Sequence, residues 1–199
     1  EHFQWNADII GQSGVTAEAE ILLLLINACR EMGLTDAEFR IFLNDRRILN
    51  SILEKIEVPP NLHDSVLVIM DKRDKVSPEN FSEMLVESGM NSSQVEQLKE
   101  HLAIPELESL SKLLPDCEGI TALQELSKLI KISGFSSYIQ FDVSIVRGLS
   151  YYTGPVFEMN HPQKSHRAIC GGGRYDSLLS TYGGETIPAV GFGFGDVVI

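Results

Sequence analysis

Ten of the chain's 16 glycines fall between Arg147 and Ile199. Eight of these ten gather in three clusters: Arg147-Gly-Leu-Ser-Tyr-Tyr-Thr-Gly154, Gly171-Gly-Gly-Arg-Tyr-Asp176 and Gly191-Phe-Gly-Phe-Gly195. Glycine loses more backbone freedom on folding than any other residue, so this density means that the chain there turns tightly or brings backbone close to something. Charge divides the chain in the same place. Residues 1–140 carry 12 basic and 23 acidic side chains, a balance of −11, whereas residues 141–199 carry 4 and 5, a balance of −1. The two parts have different tasks.

The periodicity predicts strand, helix, strand, helix at the start. Residues 1–11 read as a strand with Phe3, Trp5, Ile9 and Ile10 apolar around Gln4 and Asp8. Thr16 is the candidate N-cap of a helix running to about Met32, with Gly33 as its stop. Phe39 to Leu43 is a short strand candidate. Arg46 to Glu57 carries Ile48, Leu49, Ile52, Leu53 and Ile56 at helical spacing and ends at Pro59-Pro60. From Asn61 to Gly134 the pattern is helical. Ser77-Pro78 starts one helix, Ser93 with Glu96 suggests a capping box for another, and Ile120, Leu123, Leu126 and Ile130 line a third. Tyr138 to Ile145 alternates as a half-buried strand, and further strands are expected at Pro155 to Met159, Arg167 to Cys170 and Ala189 to Gly195, with a helix at about Asp176 to Thr181. This divides the chain into a first core part (1–57), a mostly helical insertion (58–135) and a second core part (136–199). Neither end shows a cap or polar tail, so a piece of a longer protein is expected.

Composition excludes several classes. A chain of 199 residues, 43% hydrophobic and 22% charged, buries a sizeable core and is not a disordered or fibrous sequence. The longest apolar run, Ile21 to Ile26, has six residues, against the 18 or so of a membrane span. A soluble, cytoplasmic location is expected, with an organelle as the alternative. A net charge of −12 argues against a general nucleic-acid coat. Cys29, Cys117 and Cys170 form no Cys-x-x-Cys pair and read as reduced thiols. The five histidines (His2, His63, His101, His161, His166) show neither metal-ligand nor triad spacing, and no metal site is expected.

On the residues alone, Arg147 stands where a strand alternation ends and is followed by glycine and two tyrosines. That suits binding of a carboxylate or phosphate by the guanidinium fork, and equally a surface arginine beside a hairpin. Gly171 to Gly173 could admit a phosphate or purine to the backbone, or simply bend the chain. Gly191-x-Gly-x-Gly195 lacks the Lys-Ser/Thr of a P-loop and is a weak nucleotide signal. No nucleophile with a base is visible, so any chemistry here depends on positioning and charge.

Taken as a pair, Arg147-Gly-Leu-Ser-Tyr-Tyr-Thr-Gly and Ala168-Ile-Cys-Gly-Gly-Gly-Arg-Tyr-Asp closely resemble the two histidine-specific motifs of the histidyl-tRNA synthetase family. Phe3-Gln-Trp-Asn-Ala-Asp-Ile-Ile-Gly11 resembles the end of that family's motif 2, and Pro188-Ala-Val-Gly-Phe-Gly-Phe-Gly195 the start of its motif 3. The resemblance implies an α+β fold, a class II synthetase-like antiparallel sheet flanked by helices with a mostly helical insertion, working as a homodimer. It implies L-histidine, ATP and tRNA(His) as partners and Mg²⁺ on the ATP phosphates. By position, Gln4 would hold the amino or carboxylate end of histidine and Asp8 would accept from the imidazole N–H. Arg147 would bridge the histidine carboxylate and the ATP α-phosphate. Tyr152 and Tyr175 would line the imidazole pocket with Tyr151 beside them, and Gly171, Gly172, Gly173, Gly193 and Gly195 would pack against the ligands.

The sequence departs from the family pattern in places. Ser150 stands at the usual acidic position after Arg-Gly-Leu, and Val198 at the usual motif 3 arginine. Motif 1 and the motif 2 arginine are absent from the 199 residues, which alone are expected to be inactive. A histidine-sensing regulatory subunit of ATP phosphoribosyltransferase and a non-charging synthetase-like domain attached to a kinase share the same resemblance and stand as the alternatives.

Overall fold

The computed structural model describes residues 3–148, 151–164 and 167–196. The first part supplies β1 (Gln4–Ile10), α1 (Thr16–Glu31), β2 (Arg40–Asp45) and α2 (Arg46–Lys55). The helical stretch that follows comprises α3 (Pro60–Met70), α4 (Pro78–Glu87), α5 (Ser92–Leu102), α6 (Leu107–Leu113) and α7 (Glu118–Ile132). The last part returns to sheet with β3 (Ile139–Phe141), β4 (Pro155–Asn160), β5 (Cys170–Arg174), α8 (Leu178–Thr181) and β6 (Ala189–Gly195). The six strands form one sheet in the order β1-β6-β5-β4-β2-β3. Every neighbouring pair is antiparallel except β2–β3, so the sheet is mixed rather than wholly antiparallel.

Strand alternation gives the sheet one apolar face. Ile41 and Leu43 of β2, Phe157 and Met159 of β4, and Val190, Phe192 and Phe194 of β6 all point to it and are buried. The apolar stripes of α1 (Ile21, Leu22, Leu25, Ile26, Cys29) and α7 (Ile120, Leu123, Leu126, Ile130) close over it. Both helices therefore cover the same side and leave the other face for a site. Helices α3 to α5 stack beyond α2, whose lower end is tied to them by Gln94 donating to Glu57 O at 2.8 Å.

Several local readings shift for identifiable reasons. Val15, not Thr16, precedes α1, and Thr16 Oγ1 instead accepts from Gln12. The capping box of α5 is Asn91 with Gln94, two residues before Ser93 and Glu96. Ser77 caps α4 as its sequence suggests, accepting from the Asn80 N–H. The strand expected over Tyr138 to Ile145 stops at Phe141, because the Asp142 carboxylate accepts from both the backbone and the hydroxyl of Ser144 and turns the chain. The strand expected at Arg167 to Cys170 begins only at Cys170 and runs through the three glycines to Arg174. The helix expected from Asp176 begins at Leu178, since the Asp176 backbone N–H is held by Thr153 and its carboxylate by Arg174. The three cysteines are buried free thiols. No helix among the described residues is long and apolar enough to cross a membrane.

Arg174, at the end of β5, ties the sheet to α1. Its Nε and Nη2 donate to the two Glu18 oxygens at 2.5 and 2.7 Å, Nη1 reaches Gln12 O and Asp176, and Nη2 also reaches Gly14 O. Glu18 is wholly buried and Arg174 nearly so. A buried bidentate pair with its remaining donors satisfied specifies geometry, and removal of one partner strands a charge. Glu18→Ala is expected to cost about 3–5 kcal/mol in urea unfolding. A loss below about 1 kcal/mol, the range of an exposed ion pair, would contradict this role for the pair.

Candidate active site

Strand register explains the glycines. Across β5 and β6, Gly171 faces Gly193 and Gly173 faces Gly191. Beyond β6, Asp8 faces Gly191, Asn6 faces Gly193 and Gln4 faces Gly195. Directly opposed residues point to the same side of a sheet, so the face away from α1 and α7 has a bare middle. The polar side chains of β1 stand along one margin, and Val156 and Glu158 of β4 along the other. A Cβ at Gly191 would overlap the Asp8 carboxylate, one at Gly193 the Gln4 amide and one at Gly171 the Arg147 guanidinium. A Cβ at Gly173 would come 3.0 Å from the Tyr152 ring. Four side chains thus lean across backbone that carries none. Gly172 points the opposite way, against the Phe157 ring on the helix face, and does not share this floor.

Arg147 comes to the floor from the turn after β3. Its φ of 56° lies in the left-handed region that side chains rarely adopt. Nη1 donates to Glu158 Oε1 at 2.8 Å, and Nε is buried without a hydrogen-bond partner among the described residues. Burial opposes its charge, but the Glu158 carboxylate and the Tyr152 phenol together more than offset this and hold the guanidinium above its ordinary pKa. The result is a fixed cation with one nitrogen occupied and another without an acceptor.

The tyrosines form the far wall. The Tyr151 ring lies 4.7 Å from that of Tyr152 and 5.9 Å from that of Tyr175, centroid to centroid. Tyr152 is buried with Phe42, Ile145 and Val156. Burial pushes its phenol up to about 12, against the pull of Arg147. The Tyr175 hydroxyl donates to Asp8 Oδ1, and burial together with that bond raises its pKa as well. At neutral pH both phenols are protonated donors. A guanidinium at one end and a carboxylate with a phenol at the other suit a small molecule that is anionic at one end and carries an N–H-bearing ring at the other.

The structure brings together Gln4, Asp8, Arg147, Tyr151, Tyr152, Tyr175, Gly171, Gly173, Gly193 and Gly195 on or around one sheet face. Ser150 and Val198, with His2 and His166, lie outside the described residues. Glu158 and Asn6 were not singled out from sequence. Glu158 had a legible signal, as the lone acid in the apolar run from Pro155 to Met159. On the helix side, a cavity of about 650 Å³ opens between β1, α1 and the end of α7. Its lining is mainly apolar and includes none of Arg147 or the three tyrosines.

The mixed sheet, covered by helices on one side and open over glycine on the other, has the class II aminoacyl-tRNA synthetase fold. The chain belongs to the histidyl-tRNA synthetase family, whose sequence profile matches residues 1–195. It is 44% identical to the chloroplastic/mitochondrial histidine–tRNA ligase of Arabidopsis thaliana, aligned over 100% of this chain and 41% of that protein. It is 34% identical to the histidine–tRNA ligase of Haloarcula marismortui, over 100% of this chain and 47% of that one. Among solved structures, histidyl-tRNA synthetase from Nostoc sp. PCC 7120 superposes with a TM-score of 0.84 at 25% identity, covering 96% of this chain and 48% of that one. A Bacillus halodurans protein described as an ATP phosphoribosyltransferase regulatory subunit/histidyl-tRNA synthetase shares the fold, with a TM-score of 0.80 at 24% identity and coverage of 96% of this chain and 51% of that one. The chain thus spans about half the length of these relatives or less.

The raised Tyr152 phenol sets an alkaline limit. A group whose folded pKa lies above its unfolded value of 10 adds stability that is complete below that pH and is lost as pH rises toward about 12. Tyr152→Phe cannot ionise, so its stability is expected to fall less than that of the wild type over this interval in pH-jump urea titrations. Parallel curves for the two proteins would show that Tyr152 ionises as freely when folded as when unfolded.

Proposed function

We propose that the protein containing this chain is a histidine–tRNA ligase that activates L-histidine with ATP to histidyl-adenylate and transfers histidine to tRNA(His), as a homodimer. The observation that carries this reading is Arg147: pinned through Nη1 to Glu158, it holds its guanidinium over Gly171 of the glycine floor, with a buried Nε that has no acceptor among the described residues. Histidine fits the two ends of the site. Asp8, already hydrogen-bonded by Tyr175, would accept from the imidazole N–H, while Tyr151 and Tyr152 flank the ring. Gln4 would bind the amino or carboxylate end.

Both partners in adenylation are anions, and their repulsion grows as the carboxylate oxygen closes on the α-phosphorus. Arg147 would touch the carboxylate and the α-phosphate together, align them for in-line attack and neutralise the charge that develops. Pyrophosphate leaves and no protein nucleophile is needed. Glycines 171, 173, 193 and 195 would let the ligands lie close against the sheet. Mg²⁺ would arrive on the ATP phosphates and neutralise their charge. The organellar relative keeps a location inside an organelle open beside the cytoplasmic one.

Histidine-dependent ATP–pyrophosphate exchange with the full-length protein is the assay. Arg147→Lys and Arg147→Ala are each expected to slow adenylation about a hundredfold or more, because an ammonium retains charge but loses the planar fork. Histidine affinity should change less. Wild-type protein that binds histidine without exchange would be a sensor rather than a ligase. Unaltered adenylation of bound substrates in Arg147→Ala would reduce Arg147 to a docking residue.

A further inference from the structure

The chain between β3 and Arg147 leaves the sheet by an unusual route. β3 pairs with β2 for three residues and could continue parallel to it. Instead, after Asp142 donates its backbone N–H to Leu43 O, the chain turns and crosses above β2 toward Glu158 and Gly171. Asn44 of β2 stands under this crossing. Opposed to Val156, which is opposed to Gly173, it points to the site face. It is fully buried, and its Nδ2 donates to Val143 O and to Ile145 O, both at 2.9 Å. Both amide hydrogens are therefore spent on carbonyls two residues apart, just before Arg147. Its Oδ1 is buried without a partner among the described residues.

Resting on the reading of Arg147 given above, we infer that Asn44 is a positioning residue for the reaction, setting where the Arg147 guanidinium stands over the glycine floor. The mechanism is a short lever. Asp142 closes the turn through Ser144, and Lys164 braces Asp142 from outside at 2.6 Å. Asn44 fixes the two carbonyls on its inner side. Arg147 then follows in a left-handed conformation, which only a well-determined surround maintains. A residue-long shift of this crossing would separate the guanidinium from Glu158. An aspartate cannot substitute, since its oxygens would face two carbonyl oxygens with no hydrogen to share. An alanine would leave both carbonyls buried and unpaired.

Asn44→Ala and Asn44→Ser in the full-length protein test this. Serine retains one donor and is the fallback where alanine fails to fold. Wild-type pyrophosphate exchange is measured first. The expected result is a kcat lowered about tenfold or more, with KM for histidine and ATP within about threefold of wild type, and serine intermediate. In an Arg147→Ala background, Asn44→Ala should cost less than about threefold further, because two residues acting through one group are not additive. Independently of activity, the Arg147 Nε–H resonance, assigned by its loss in Arg147→Ala, should move toward the exposed-arginine envelope and exchange faster in Asn44→Ala. Additive losses with an unmoved resonance would overturn the inference and leave the ligase reading intact. A moved resonance in a protein without exchange activity would sustain the lever and overturn the ligase reading instead.

Discussion

The structure depends on a strand pair whose site face, beyond Ala189, carries only glycine. β5 and β6 place Cys170, Arg174, Val190, Phe192 and Phe194 toward the helices and Gly171, Gly173, Gly191, Gly193 and Gly195 toward the site. Glycine-rich strands are intrinsically weak, and these are held by what lies behind them. The phenylalanines are buried against α1, and Arg174 is locked to Glu18. In front, the missing Cβ atoms make room for Asp8, Gln4, Arg147 and Tyr152 to converge. Stability is supplied from one side so that the other can be left open for chemistry.

Arg147 shows how that opening is used. A guanidinium over bare backbone, with Glu158 on one nitrogen, has a fixed direction before any ligand arrives. In the proposed reaction, preorganised charge of this kind would need no rearrangement. The turn that brings Arg147 there is held by Asn44 of β2, 99 residues from its partner Val143, and by Lys164 of the β4–β5 connection, 22 residues from its partner Asp142.

Much of this was legible in the sequence, at different levels. Helical spacing located α1, α2 and α7, and the Ser77-Pro78 signal located α4. The clustering of glycine pointed to the site. Glycine density also obscured local structure: the run Gly171 to Gly173 reads equally as backbone open to a ligand or as a bend, and burial of Cys170 and Arg174 on either side makes it a central strand. The alternation from Tyr138 to Ile145 suggested one long strand because Val143 and Ile145 are buried. They are buried above the sheet, held by Asn44, rather than within it. Asp8 and Gln4 carried no signal of their own beyond alternation and were picked out only by resemblance to a family. Asn44 had no local signal, since its partners are 99 and 101 residues away.

The central claim is that one fixed guanidinium serves both anions while Asp8 and the tyrosines take the imidazole. A crystal structure of the full-length protein with a non-hydrolysable histidyl-adenylate analogue tests it directly. The account predicts Arg147 nitrogens within about 3 Å of both the phosphate mimic and the carbonyl derived from histidine, with the imidazole N–H on Asp8. An analogue bound with Arg147 still paired only to Glu158, or with the imidazole away from Asp8, would contradict it.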